Sequence, residues 1–226
     1  MLPNRALLSD INSDLVHTYQ ILVSDWQKIV TRLEWHQIKH SSEHYYVQRS
    51  TIPKDDIERA ARFIYLNRAC WNGLYRVNFK GEFNVPKGSK VKILLETDDF
   101  KRIADALAKA KIQCLDFEEA LQTAEKGDCV FLDPPYTVKH NLNGFVKYNE
   151  KLFSWSDQIR LRNAATQAAK RGAVVIMMNA NHESIRNLYR DFAEHEIVSR
   201  NSVLSAKSQF RGEVTELLLR ITANNL

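Results

Sequence analysis

Asp128-Cys129-Val130-Phe131-Leu132-Asp133-Pro134-Pro135-Tyr136 is the stretch from which the fold of this 226-residue chain is read. Cys129 to Leu132 are four apolar residues in a row, flanked by acids. An unbroken apolar run of that length reads as a strand of a parallel sheet, buried on both faces. Two consecutive prolines cannot donate to a ladder, so the strand ends before them. Asp133 to Tyr136 therefore fall at its carboxyl end, where open α/β sheets gather the residues that meet ligands.

Working outward, the same alternation recurs on both sides. Residues 172–179 form a second apolar strand, and two more are expected near 196–204 and 215–221 as an antiparallel edge. Helices are expected at 157–170, with Ser156 as N-cap, and at 183–192. Upstream, Arg5-Ala6-Leu7-Leu8-Ser9-Asp10 reads as a short buried strand ending in an acid. Asn12 or Ser13 then caps a helix in which Leu15, Tyr19, Leu22, Trp26, Ile29 and Leu33 recur at helical spacing. The polar residues 36–51 read as loop. Pro53 precedes a helix with the stripe Ile57, Ala60, Ala61 and Ile64, and Phe100, Ile103, Leu107 and Ala110 mark another, followed by a strand at 112–115. Between these, residues 67–90 are rich in Asn, Gly, Arg and aromatics. Gly73, Gly81 and Gly88 break any helix there, which predicts a loop and a β-hairpin outside the main core. Strands alternating with helices give a doubly wound α/β sheet.

Composition narrows the function class. A hydrophobic content of 44% with 26% charged residues is that of a globular protein, and a net charge of +5 suits a polyanionic partner. Cys70, Cys114 and Cys129 are widely spaced and form no CxxC, so neither a zinc site nor a disulfide framework is expected, and no metal is assigned. With no charged-then-apolar leader and no run of about 18 apolar residues, the expectation is no membrane and a cytoplasmic location.

The chemistry follows from Asp133-Pro134-Pro135-Tyr136. The exocyclic amino group of adenine is a poor nucleophile because its lone pair is delocalised into the ring. A carboxylate and a backbone carbonyl can each accept one amino hydrogen and turn that lone pair toward an electrophile. Proline fixes the backbone and aims its carbonyl. Tyr136 offers a flat face to a base taken out of the duplex. Positioning and electrostatic preorganisation then suffice for rate, with no metal. The plain alternative is a turn after a strand.

These residues, with others, resemble the Dam-type family of DNA adenine-N6 methyltransferases, and the likeness runs from Leu8 to about Leu219. The resemblance implies an α/β Rossmann-like methyltransferase sheet, S-adenosylmethionine as cofactor, double-stranded DNA as partner and GATC as target. It makes Asp133, Pro134 and Tyr136 catalytic. Ser9-Asp10-Ile11-Asn12 resembles the family's acidic motif, so Asp10 would bond the cofactor's ribose with Ile11 beside it. Cys114-Leu115-Asp116-Phe117 resembles the stretch along the cofactor's adenine, so Asp116, Phe117 and again Asp133 would line that pocket. Asn67-Arg68-Ala69-Cys70-Trp71-Asn72-Gly73-Leu74-Tyr75-Arg76, continuing to Gly81-Glu82-Phe83-Asn84-Val85-Pro86, resembles the family's target-recognition hairpin. Arg76 has the chemistry to grip guanine O6 and N7. Trp71 would wedge into the stack, with Asn72 and Leu74 near the orphaned partner base, and Pro86 would meet a thymine methyl. Asn84 is counted with the DNA-binding residues. On this reading residues 1–35 and 99–226 form the catalytic domain and 36–98 an inserted helical and β-hairpin recognition region. Phosphate contacts could come from Arg49, Lys54, Lys80, Lys87, Lys139, Arg200, Lys207 and Arg211. Residues 137–148 would form a loop near the target base, and Phe153, Asp157, Gln158 and Leu161 resemble the next motif, mainly in packing roles.

One departure matters. The family's lysine-containing motif and its Phe-x-Gly-x-Gly loop after the first strand are not found, and the seven glycines include no Gly-x-Gly pair. The sheet is therefore expected to lack its first strand, with an open edge that invites self-association or pairing with a separate N-terminal fragment. Two function classes follow: an adenine-N6 methyltransferase in a bacterial or phage nucleoid, or a truncated, inactive DNA-binding remnant of one. Methylation of RNA or of a protein amide, where Asn more often stands in place of Asp133, is a distant third.

Overall fold

The computed structural model describes residues 3–78, 81–137, 153–201 and 213–226. The chain divides into two compact units, Met1–Asp116 and Phe117–Leu226, each taken by itself below.

The first unit opens with strand β1 (Ala6–Asp10) and helix α1 (Ser13–Lys39). The junction is local chemistry: Asn12 caps the helix by accepting the Asp14 and Leu15 amides, while its own amide donates to Asp10 Oδ1 at 2.7 Å. Helices α2 (Ser42–Ser50) and α3 (Asp56–Ala69) follow, then a short 3-10 turn Trp71–Gly73, helix α4 (Phe100–Leu107) and strand β2 (Ala110–Cys114). The polar stretch 36–51 is thus helical, not loop. Ser41 caps α2 through the His44 amide, and Tyr45, fully buried, supplies the packing that its weak apolar pattern conceals. The core is helical: Leu22, Ile29, Leu33, Tyr45, Ala60, Ala61, Tyr65, Leu66, Val85 and Ile93 form one cluster. Strands β1 and β2 pair in parallel, with Asp10 opposite Cys114.

The second unit holds helix α5 (Phe117–Gln122), strand β3 (Cys129–Leu132), helix α6 (Trp155–Lys170), strand β4 (Val174–Ala180), helix α7 (Glu183–Tyr189) and strands β5 (Glu194–Asn201) and β6 (Glu213–Ile221). Its sheet runs β3-β4-β6-β5, with β3 parallel to β4 and β6 antiparallel to both β4 and β5. The antiparallel closing pair is as expected. The α6 cap is Ser154, not Ser156, and forms a reciprocal capping box with Asp157. One sheet face carries Val175, Met177, Leu217, Leu219 and Ile221, all buried against Leu161, Ala165, Ala168, Ile185 and Tyr189 of α6 and α7.

The strand read as buried on both faces is not. Phe131 is 65% exposed and Cys129 is exposed, while Val130 and Leu132 pack on the core. Likewise Leu8 in β1 is 43% exposed. The described core packs on only one face of β3, the face of Val130 and Leu132; β3 also ends its sheet and β1 belongs to a two-stranded one, so among the described residues neither has a strand on its outer edge. The architecture is mixed α/β.

Candidate functional site

Asp133 follows β3 directly and is exposed, Pro134 and Tyr136 are half-buried, and Pro135 is exposed. Thr137 turns back into the protein at 5% exposure, and its hydroxyl is buried without a partner among the described residues. The neighbouring strand carries a polar group that sequence reasoning did not single out. Asn179, fully buried on β4, accepts the Ala180 amide at 2.8 Å and donates to Gln158 Oε1 of α6 at 3.2 Å. Gln158, expected only to pack, is the other half of this buried amide pair, and its Nε2 has no further partner among the described residues. An Asn inside an apolar run was the available signal. Residues 138–152 and the proposed phosphate-contacting Lys80, Lys139, Lys207 and Arg211 lie outside the described residues, as does the side chain of Arg200.

In the first unit the parallel register sets the acidic ends of two strands side by side. Asp10 ends β1, exposed, with Ile11 beyond it at 75% exposure; Asp116 follows β2 and is half-buried. Cys114 Sγ lies 3.5 Å from the Ile11 carbonyl, tying the two ends. Asp10, Ile11 and Asp116 are thus brought together. Phe117 instead packs in the second unit, tilted on Phe153 at 5.6 Å between ring centres with the Arg160 guanidinium 4.8 Å from its own.

The segment after α3 forms a narrow ribbon tied back to the helix end. Its pairing is slight: isolated antiparallel bridges join Cys70 to Lys87 and Val77 to Phe83, without continuous strands. The Trp71 amide donates to the Pro86 carbonyl at 2.9 Å and the Gly88 amide to the Ala69 carbonyl at 2.8 Å. Asn72 takes a left-handed conformation at φ 54°, one that Asn tolerates better than most residues, and leaves Trp71 45% exposed at the turn. Leu74 packs on the helical core, whereas Pro86 is exposed. Tyr75 and Phe83 lie together at 5.7 Å, with Phe63 of α3 5.5 Å from Tyr75. Arg76 and Asn84 pair across the ribbon: Arg76 Nε donates to Asn84 Oδ1 at 2.8 Å. Lys87 turns its ammonium to the Gly88 carbonyl at 3.2 Å. The base of the ribbon is braced by Arg68, which holds Asp98 through two hydrogen bonds of 2.5 and 2.8 Å and keeps that carboxyl below its usual range.

Beneath the ribbon lies a ring cluster. His36 Nδ1 and His44 Nε2 are 3.0 Å apart, His36 stacks on Tyr65 at 4.5 Å, and His40 shares a hydrogen bond with the Tyr65 hydroxyl at 2.9 Å. Burial first, then the His44, Arg32 and Arg62 charges, pushes His36 down to about 3. No group of His, Cys, Asp or Glu among the described residues is arranged to hold a metal. No helix among them is long and apolar enough to cross a membrane.

Comparison with known proteins gives this arrangement a lineage. The Type II methyltransferase M1.LlaDCHI of Lactococcus lactis subsp. cremoris is 35% identical over 96% of this chain and 79% of its own length. The DNA adenine methylase of Vibrio cholerae is 31% identical over 96% of this chain and 80% of its own. The DNA N-6-adenine-methyltransferase of Escherichia phage P1 is 35% identical over 94% of this chain, which spans 29% of that longer protein. The sequence profile of the D12 class N6 adenine-specific DNA methyltransferases matches residues 2–203, and the chain belongs to that family.

Proposed function

We propose that this chain methylates adenine N6 within a short duplex site, with GATC as the target. The observation that carries the reading is Asp133-Pro134-Pro135-Tyr136 placed at the carboxyl end of β3, with Asp133 exposed. Asp133 would accept one hydrogen of the amino group and the Pro134 carbonyl the other, leaving the nitrogen lone pair localised and directed. Tyr136 would stack on the extruded base. Asp133 and Pro134 work by orientation, which is where most of such a barrier is lowered.

The family is S-adenosylmethionine-dependent in general. The residues in the first unit fit part of that group. Asp10 is an exposed carboxylate at a strand end, suited to a ribose diol, with Ile11 exposed beside it for the adenine and Asp116 on the adjacent strand. When bound, the cofactor supplies an electrophilic methyl group. Phe117 and Asp133, in the second unit, are proposed as cofactor residues as well.

Residues 36–98 are proposed as the recognition region, although residue 36 itself falls within α1. Trp71, Asn72, Arg76 and Pro86 would meet DNA, with Asn84 beside Arg76 in the ribbon and Leu74 supporting them from the helical side. The outer edges of β1 and β3, unpaired among the described residues, are proposed sites for self-pairing or for a separate N-terminal fragment. A cytoplasmic, nucleoid-associated setting follows from the substrate.

The test is direct. The chain is incubated with isotopically labelled S-adenosylmethionine and duplexes carrying GATC or single-base variants, and N6-methyladenine is measured by mass spectrometry. Labelled product confined to GATC, and lost in Asp133→Ala, is the expected result. GATC-selective binding without product, unchanged by added cofactor, would instead identify a DNA-binding remnant. The described contacts of the ribbon lie within the first unit, which favours that second reading over an inert protein.

A further inference from the structure

We propose that Asn84 is the positioning residue for Arg76, setting the angle at which the guanidinium meets its base, and that it does not itself read DNA. The inference rests on the base-reading role given to Arg76 above and names what makes that role selective. Arg76 has five N–H donors in a rigid planar fork. Nε donates to Asn84 Oδ1 at 2.8 Å and Nη2 to the Asn84 carbonyl at 3.2 Å, so one edge of the fork is held by a single residue. The Asn84 amide in turn donates to the Arg76 carbonyl at 3.0 Å, which fixes the two residues directly opposite each other. Nη1 and the second hydrogen of Nη2 have no partner among the described residues. They form the end-on edge whose geometry matches guanine O6 and N7.

Asn84 is itself anchored. The next residue, Val85, is buried, and its carbonyl accepts the Tyr45 hydroxyl at 2.9 Å and Arg49 Nη1 at 3.3 Å. The holding path therefore runs from α2 through Val85 and Asn84 to the guanidinium. On the other face the ribbon is steadied by Tyr75, Phe83 and Phe63. An Asn that reads adenine presents its carbonyl and its amide together to N6 and N7. Here the side-chain carbonyl of Asn84 faces Arg76, which is the arrangement of a support.

The two roles separate by substitution. Asn84→Asp keeps an acceptor for Arg76 Nε but removes the amide donor that adenine readout needs, whereas Asn84→Ala removes both. Binding of the full chain is measured by fluorescence anisotropy against a GATC duplex and duplexes changed at each base pair. Arg76→Ala should lose about tenfold or more of discrimination at one G·C pair. Asn84→Ala should lose about tenfold at that same pair, Asn84→Asp should stay within about twofold of the parent, and the double variant should be no worse than Arg76→Ala. In parallel, the Arg76 Nε–H resonance, recorded without DNA, should be protected in the parent and in Asn84→Asp and lost in Asn84→Ala.

Discrimination lost at an A·T pair in both Asn84 variants would overturn the proposal, since Asn84 would then be a reader. An Nε–H signal unchanged by Asn84→Ala would overturn it without any DNA measurement. If Arg76→Ala alters no base preference while the Nε–H signal still depends on Asn84, the contact is real but serves no readout. That result overturns the proposal through the base-reading assignment. If Arg76→Ala does alter preference and Asn84→Ala does not, only the positioning role falls.

Discussion

Gly88→Ala should detach the recognition ribbon from the end of α3. Gly88 is not held by an unusual backbone angle; it is held by lack of room. A Cβ at this position would sit 2.5 Å from the Cys70 carbonyl oxygen, 2.8 Å from its carbon and 3.1 Å from the Trp71 nitrogen. All three are backbone atoms, so no side chain can swing aside. Restoring ordinary contact moves the Gly88 strand by about 1 Å, at roughly 1–3 kcal/mol for overpacking. That shift also strains the bonds from Gly88 to Ala69 and from Trp71 to Pro86, each worth about 1 kcal/mol. A total near 2–4 kcal/mol lowers the melting temperature by on the order of 10 °C. Trp71 moves with the strand, so affinity for duplex DNA should fall as well. The control is Gly127→Ala in the second unit, where φ is +93° but nothing lies within 4 Å of the added carbon. Its cost is conformational, about 1 kcal/mol, and DNA affinity should not change. Melting by circular dichroism and anisotropy titration read both effects. A Gly88→Ala protein that melts within about 2 °C of the parent and binds the same duplex equally well would refute the close-approach argument.

Other consequences concern burial, acid and edges. His36 is held neutral down to about 3 in the folded chain but takes a proton near 6.5 when unfolded. The unfolded state therefore binds the extra proton as pH falls, and stability present above about 6.5 is lost at roughly 1.4 kcal/mol per pH unit on the way to 3. The lowered His40 and His44 act in the same direction. His36→Phe should flatten that slope in urea melts between pH 4 and 7.5, and an unchanged slope would assign the proton elsewhere. Asn179→Ala strands the Ala180 amide and Gln158 and should cost about 1–3 kcal/mol; adding Gln158→Leu should recover part of it, and strict additivity would show that the two amides are not coupled. If the open edge of β3 drives self-association, sedimentation will show mass rising with concentration. Phe131→Lys should then suppress that rise without lowering thermal stability, because the side chain is already 65% exposed.

What the sequence revealed and what it hid divide along physical lines. β3 and the turn after it were legible because four apolar residues followed by two prolines leave few alternatives. Whether anything covered Phe131 was not, since an apolar run has no period from which a missing neighbour could be read. Helix α2 was hidden for the opposite reason: residues 42–50 carry little apolar periodicity, and one buried tyrosine with a serine cap holds them. The Ser154 cap was misplaced onto Ser156 although Ser154-x-x-Asp157 is itself a capping-box spacing. The ribbon was visible from its glycines and aromatics, but not the Arg76–Asn84 contact, because cross-strand register depends on the turn geometry between them.

That contact bears on how the proposed reading and the proposed chemistry are divided in this chain. The groups that brace the ribbon, Tyr45, Phe63, Arg49, Ala69 and the Arg68–Asp98 pair, all lie in the first unit. The carboxylate proposed for catalysis lies in the second, after a strand whose inner face rests on α6 and β4. Nothing in either set of contacts requires the other to form. Asp133→Ala should therefore abolish methyl transfer while leaving the base preferences of binding intact, and Arg76→Ala should do the reverse to the site at which product forms. An Asp133→Ala protein with altered base preference would mean that recognition is built partly at the strand end, and the proposal that the ribbon alone reads the bases would fall.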